Sequence, residues 1–200
     1  MKVLGLTGGI AMGKTTVARQ FVRLGARHCD ADAIVHHLMD KGGKAVSAIE
    51  EHFPSAVTSG AVDRKALGAI VFRDQVKLKL LESILHPLVI AEENDFIRRQ
   101  RMLGHDLVVL DIPLLFETMG HLRCDATVSV TCSPLVQRLR ALRRPGMTED
   151  KLKGILSRQW PDWKRRSQAD YVIQTGGGKA ASFEAARQVI HCLNERLPHL

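Results

Sequence analysis

Gly8-Gly9-Ile10-Ala11-Met12-Gly13-Lys14-Thr15 fits the pattern glycine, any four residues, then Gly-Lys-Ser/Thr. An apolar run, Val3-Leu4-Gly5-Leu6, precedes it, and Thr16-Val17-Ala18-Arg19-Gln20-Phe21-Val22 reads as a helix after it. In that strand, loop, helix setting the pattern is a phosphate-binding loop (P-loop). Glycine lets the backbone curl until successive N–H groups point into one hollow. The helix starting near Gly13 adds the positive end of its dipole. Lys14 can bridge the β- and γ-phosphates of a nucleotide, and the Thr15 hydroxyl can ligate Mg²⁺. Gly8, Gly9, Ile10, Ala11, Met12, Gly13, Lys14, Thr15 and Thr16 are therefore the candidate nucleotide contacts. A chance match in a glycine-rich turn is the alternative, and the flanking strand and helix disfavour it.

Carboxylates and arginines supply further candidates. A short second strand is expected to end at Asp30-Ala31-Asp32, and ligands of open α/β sheets sit at the carboxyl ends of strands. Asp30 and Asp32 fit either that chemistry or the capping of a helix over 33–39, and spacing alone weighs the two evenly. Asp111 closes the apolar run Leu107-Val108-Val109-Leu110, where P-loop enzymes place a Mg²⁺-directed carboxylate. A turn role for Asp111 is the alternative. Arg140 and Arg144 stand four apart on an expected helix, near a Pro145-Gly146 turn. Arginines about a turn between helices suit a lid that closes over phosphates. Lys164-Arg165-Arg166 reads as mostly solvated surface.

The elements that would hold these residues follow from periodicity. Strands are expected at 3–6, up to 32, 106–111, 126–131 and 171–174. Residues 33–103 read as almost wholly helical, with a turn region at 53–62. Asp63 caps a helix from Arg64, and His86-Pro87 breaks 75–85 from 87–103. His86 is a ligand contact or a residue packed at that turn, and the sequence favours the second. So long a helical tract far exceeds the dozen or so residues a crossover needs, and it reads as an inserted subdomain. Leu135, Leu139 and Leu142 are expected to face inward on the helix after Ser133-Pro134. The triple glycine Gly176-Gly177-Gly178 admits a nucleotide base or is a flexible turn. The last helix, capped by Ser182, has Ala186, Val189, Ile190, Leu193 and Leu197 on its apolar face.

Composition excludes several classes. The chain's 200 residues, 45% apolar and 25% charged, fit a globular domain with appendages. No apolar run is long enough to span a bilayer, and Met1-Lys2-Val3-Leu4 enters the first strand with no signal peptide. The four cysteines form neither a CxxC nor a zinc spacing, which reads as free thiols in a reducing cytosol. A formal charge of +8 favours anionic partners. With one Tyr and 4% aromatic residues there is little for stacking on bases, so an ATP-dependent nucleic-acid-binding protein is a remote alternative.

With these pieces in place, the chain resembles the dephospho-coenzyme A kinases. Gly5-Leu6-Thr7-Gly8-Gly9-Ile10, Asp30-Ala31-Asp32, Asp63-Arg64, His86-Pro87, Arg140, Arg144, Arg158-Gln159 and Ala169-Asp170-Tyr171-Val172-Ile173 match that family in order. Pro113-Leu114-Leu115-Phe116-Glu117 is the most distinctive tract, since generic P-loop kinases lack it. The chain departs from the family at Ala11-Met12, Trp160 and Gly176-Gly178. The resemblance implies an α/β fold: a five-stranded parallel sheet flanked by helices, with a helical substrate insert and a helical lid. As one domain, its core would be roughly 1–32, 104–134 and 168–200, its insert 33–103 and its lid 135–167. It also implies transfer of the γ-phosphoryl of ATP to the ribose 3′-hydroxyl of dephospho-coenzyme A, the last step of coenzyme A biosynthesis. Asp32 would be the base. Lys14, Arg140 and Arg144 would stabilise the transferred group, and Asp32, Arg64, His86, Pro113 and Leu114 would hold the acceptor. Thr15, with Asp30 or Asp111, would hold Mg²⁺. A cytoplasmic protein, monomeric or oligomeric, with no nucleic acid or membrane partner is expected. Another small-molecule or nucleoside monophosphate P-loop kinase is the nearest alternative, and a regulatory nucleotide switch a third.

Overall fold

The computed structural model describes residues 1–72 and 74–195, and these fall into two compact units. One unit comprises residues 1–29 and those from 100 onward; the other comprises 30–99.

The first unit is built on a five-stranded parallel sheet in the order β2-β5-β1-β6-β7. Its strands are β1 (Lys2–Gly8), β2 (Arg27–Asp30), β5 (Leu107–Asp111), β6 (Ala126–Thr131) and β7 (Tyr171–Gln174). β1 lies at the centre, with Leu4 opposite Val109 on one side and Ala126 on the other. Strands with neighbours on both edges of the sheet have little wet surface, and β1, β5 and β6 are buried along almost their whole length. Helix α1 (Lys14–Arg23) and helix α9 (Lys179–Glu195) pack on this sheet through Val17, Phe21, Ala186, Val189 and Leu193. Ser182 is a buried residue inside α9 and not its cap, and Leu197 lies outside the described residues. Asp170 fixes the approach to β7, because its carboxylate accepts from both the N–H and the hydroxyl of Thr127 in β6. After β6 come α6 (Pro134–Leu142), α7 (Glu149–Leu156) and α8 (Asp162–Gln168).

The second unit contains α2 (Ala31–Met39), α3 (Val46–His52), a two-stranded hairpin of β3 (Val57–Thr58) and β4 (Ala61–Val62), and α4 (Arg64–Val71). Most of α5 (Gln75–Met102) also belongs to it. Its core is Leu38, Ile49, Phe53, Leu67, Leu81 and Leu85 with their neighbours. Three expectations fail here. The turn region at 53–62 contains the hairpin, whose strands of two residues are too short to leave a period in sequence. The helix is not broken at His86-Pro87: α5 runs through Pro87, giving up one backbone donor, while Leu81 and Leu85 stay buried in the preceding turns. His86 is exposed on this helix and not packed at a turn.

Candidate active site

The loop between β1 and α1 is fixed from several sides, all within the first unit. Gly13, with φ of +98°, forms the N-cap of α1, and Thr16 and Val17 donate back to its carbonyl at 3.0 and 3.2 Å. This is a left-handed turn that glycine enters without steric penalty. Ala11 also has positive φ, +60°, and carries a Cβ there. Met12 needs no such angle. Its side chain is 3% exposed in the main apolar core, where Sδ accepts from the Cys132 N–H at 3.2 Å. Its carbonyl accepts from the Thr175 hydroxyl at 2.6 Å.

Lys14 forms an ion pair with Asp111 at the end of β5. The other carboxylate oxygen of Asp111 lies 3.2 Å from His28 Nε2, on β2. Burial by itself would raise the Asp111 carboxyl. The hydrogen bond with His28 and the Lys14 ammonium outweigh it, and the group is held below its ordinary range. Lys14 is thus parked on a buried carboxylate at the mouth of the loop, while Thr15 is exposed at the first turn of α1.

Side chains from α6 to α8 close round the loop's first half. Gln137 Nε2 donates to the Ile10 carbonyl at 3.0 Å, and the Ile10 N–H donates to Gln159 Oε1 at 3.1 Å. Arg165 is only 2% exposed and donates to the Trp160 carbonyl at 2.6 Å. A Cβ on Gly9 would come within 2.6 Å of its guanidinium, so the loop lies directly on that group, which would have to shift for any larger residue. The reading of Lys164-Arg165-Arg166 as solvated surface therefore fails at its central residue. The tract after β5 joins the same assembly. The Thr7 hydroxyl donates to the Pro113 carbonyl at 3.0 Å, and the Trp160 N–H donates to Glu117 at 2.9 Å. Trp160 stacks on Phe116 with ring centroids 6.1 Å apart, and the Lys164 ammonium sits 3.6 Å from its ring centroid. The large side chain at 160 thus has a place built for it.

A family profile described as dephospho-CoA kinase matches residues 2–180. The chain belongs to the dephospho-CoA kinase family. A dephospho-CoA kinase of Paramagnetospirillum magneticum is 54% identical over 83% of this chain and 78% of its own length. One of Mesorhizobium japonicum is 48% identical over 98% and 97%. A crystal structure from Thermus thermophilus superposes with a TM-score of 0.84 at 29% identity, covering 98% of each chain.

Within this family fold the remaining candidates sit as follows. Arg140 is half-buried on α6 and donates to both the hydroxyl and the carbonyl of Thr175, each at 2.9 Å. Arg144 does not share a helical face with it, because α6 ends at Leu142 and Arg144 is exposed in the turn beyond. Pro113 is half-buried and Leu114 is exposed. In the second unit, Asp30 accepts from the N–H groups of Asp32 and Ala33 at 2.9 and 3.2 Å, which is the capping geometry. Asp32 is not at a strand end but in the first turn of α2, and it is exposed. Arg64 is exposed in the first turn of α4, after the Asp63 cap. Sequence reasoning missed Gln137, Arg165 and Thr175 as parts of the site. Thr175 had one legible signal, its place directly after the last strand.

Proposed function

We propose that the chain is an ATP-dependent kinase that phosphorylates the ribose 3′-hydroxyl of dephospho-coenzyme A. The observation that carries this reading is the loop itself, with Lys14 held on Asp111 inside a chain of this family from residue 2 to 180. In the reaction the acceptor oxygen attacks the γ-phosphorus, the bond from that phosphorus to the bridging oxygen of ADP breaks, and the hydroxyl proton goes to Asp32. The transition state is loose, so positioning and charge dominate. Lys14 leaves Asp111 for the phosphates, and Arg140 and Arg144 add positive charge around the transferred group. Backbone N–H groups of Ala11, Gly13, Lys14 and Thr15 cradle the phosphates, those of Ile10, Met12 and Thr16 being bonded to Gln159, Gly9 and Gly13. Arg64, His86, Pro113 and Leu114 hold the acceptor, with the 30–99 unit taking the coenzyme portion.

Mg²⁺ fits the donors present. Among the described residues no cluster of three or more His, Cys, Asp or Glu side chains could hold a metal. That suits an ion which takes one or two protein ligands and completes its shell with phosphates and water. The Thr15 hydroxyl and the Asp111 carboxylate would hold it. Asp30, already engaged as a cap, would act through water. When bound, the ion neutralises charge on the β- and γ-phosphates.

The net charge of +8 serves an anionic small molecule in this reading and not nucleic acid. Among the described residues no helix is long and apolar enough to cross a membrane, and all four cysteines are free, as in a reducing cytoplasm. A monomer acting in the cytoplasm is the simplest form of this proposal. The test is ADP release with Mg²⁺-ATP. Release is expected on adding dephospho-coenzyme A but not AMP or shikimate, and no release with dephospho-coenzyme A overturns the assignment. Asp32→Asn is expected to bind both substrates and turn over ~10²–10⁴-fold more slowly; near-normal turnover removes Asp32 as the base.

A further inference from the structure

Ala11 holds φ of +60° in the middle of the phosphate loop. A residue with a Cβ avoids this region and stays in it only where its neighbours hold it there. On one side Met12 is held, its carbonyl by Thr175 and its sulfur by the Cys132 N–H. On the other side Ile10 is held at both of its backbone groups. Gln137 donates to its carbonyl and Gln159 accepts from its N–H. The two amides must face opposite ways to do this, nitrogen toward the carbonyl and oxygen toward the N–H. They also come from the two ends of one helical hairpin. Gln137 lies in the first turn of α6, and Gln159 lies just past the end of α7. Arg140, Arg144 and Arg158 fall between them. Gln159 is itself seated, since Trp160 is bonded to Glu117 and Arg165 on either side of its peptide.

We propose that Gln137 and Gln159 are positioning residues for the phosphate loop. Together they clamp Ile10, keep Ala11 in the strained, phosphate-ready form, and make the loop and the α6–α7 hairpin move as one piece. The inference rests on the reading that this loop binds ATP. Neither glutamine needs to touch the nucleotide.

Calorimetric titration with Mg²⁺-ATP, without acceptor, tests this on the wild type, Gln137→Met and Gln159→Met, each with and without Ala11→Gly. Each methionine variant is expected to bind ATP about five- to tenfold more weakly, the factor for one net hydrogen bond. With Ala11→Gly present, the same substitutions are expected to cost about twofold or less, because glycine takes positive φ without support. Unchanged affinity in the methionine variants, or an equal loss in both backgrounds, overturns the proposal. A purely structural role would lower the melting temperature in both backgrounds alike and leave the affinity of the folded protein intact. Should the variants not fold, amide exchange on the wild type decides. ATP must slow exchange both at 9–12 and at 149–159, and protection confined to the loop overturns the inference. A wild type that fails to bind ATP sinks the nucleotide reading itself, whereas one that binds ATP with indifferent variants sinks only the clamp.

Discussion

In the unit formed by 1–29 and the residues from 100 onward, Thr7, Asp111, Gln137, Arg165 and Thr175 are all buried, and each bonds to the phosphate loop, touches it, or holds what touches it. In the 30–99 unit the buried interior is Leu38, Ile49, Phe53, Leu67 and their apolar neighbours, and among the described residues Glu93 is its buried charged side chain. Burying a polar group is unfavourable unless it is bonded. The first unit meets that cost repeatedly, at the loop and also away from it, where Gln20 bonds Ser182 and Thr127 bonds Asp170. The second has a core that specifies shape and little else, and its candidate functional residues, Asp32, Arg64 and His86, are exposed. One unit therefore holds its chemistry by internal bonding, and the other presents it on a surface.

This contrast can be broken by experiment. The largest effect is expected from Lys14→Met, which should lower turnover by about 10³-fold or more. It should be at least as damaging as Asp32→Asn in the ADP-release assay. A loss under tenfold would mean that the buried ion pair is structural. In the second unit, Ile49→Ala should destabilise by about 2–5 kcal/mol in urea titration, with ATP affinity of the folded fraction unchanged. A specific loss of ATP affinity would show that this core does more than hold shape.

The third effect depends on pH. Asp111 sits below its ordinary range, so its contribution to stability is fully present well above the unfolded value of about 3.9. That contribution is lost as pH falls through the lower folded value. Urea midpoints taken down a pH series should fall more steeply in the wild type than in Asp111→Asn, which starts lower. Parallel curves would mean that His28 and Lys14 do not hold the carboxylate ionised. The smallest effect is expected at the rim of the loop assembly. Lys164→Gln removes the cation from the Trp160 ring and should cost about 0.5–1 kcal/mol by thermal melting.

The parts that sequence periodicity could reach were the sheet and the loop. β1 and β5 are buried runs of high apolar content, β6 carries alternating apolar residues, β7 is mostly apolar, and the Gly-Lys-Thr spacing survives any packing detail. Polar burial was out of reach. On α6 the leucines suggested an inward face through Leu135 and Leu139, yet these are 63% and 47% exposed. The buried face instead carries Gln137, which bonds the Ile10 carbonyl, and Ala141, which packs with Ala11 and Leu152. Arg165 was hidden between two other basic residues. A guanidinium can be buried where carbonyls receive it, and no sequence period marks where a distant carbonyl will be. Asp30 was undecided between capping and chemistry until its bonds to the N–H groups of Asp32 and Ala33 were seen.

The stack of Trp160 on Phe116 and under Lys164 also gives the molecule a built-in lamp. Its two tryptophans differ in kind: Trp163 is exposed to water, and Trp160 is sandwiched beside the residue that grips Ile10. Replacing Trp163 by phenylalanine leaves one emitter, set between a ring and a cation. Its brightness and colour would then follow, without any added dye, whatever shifts the hydrogen bond that joins Gln159 to the phosphate loop.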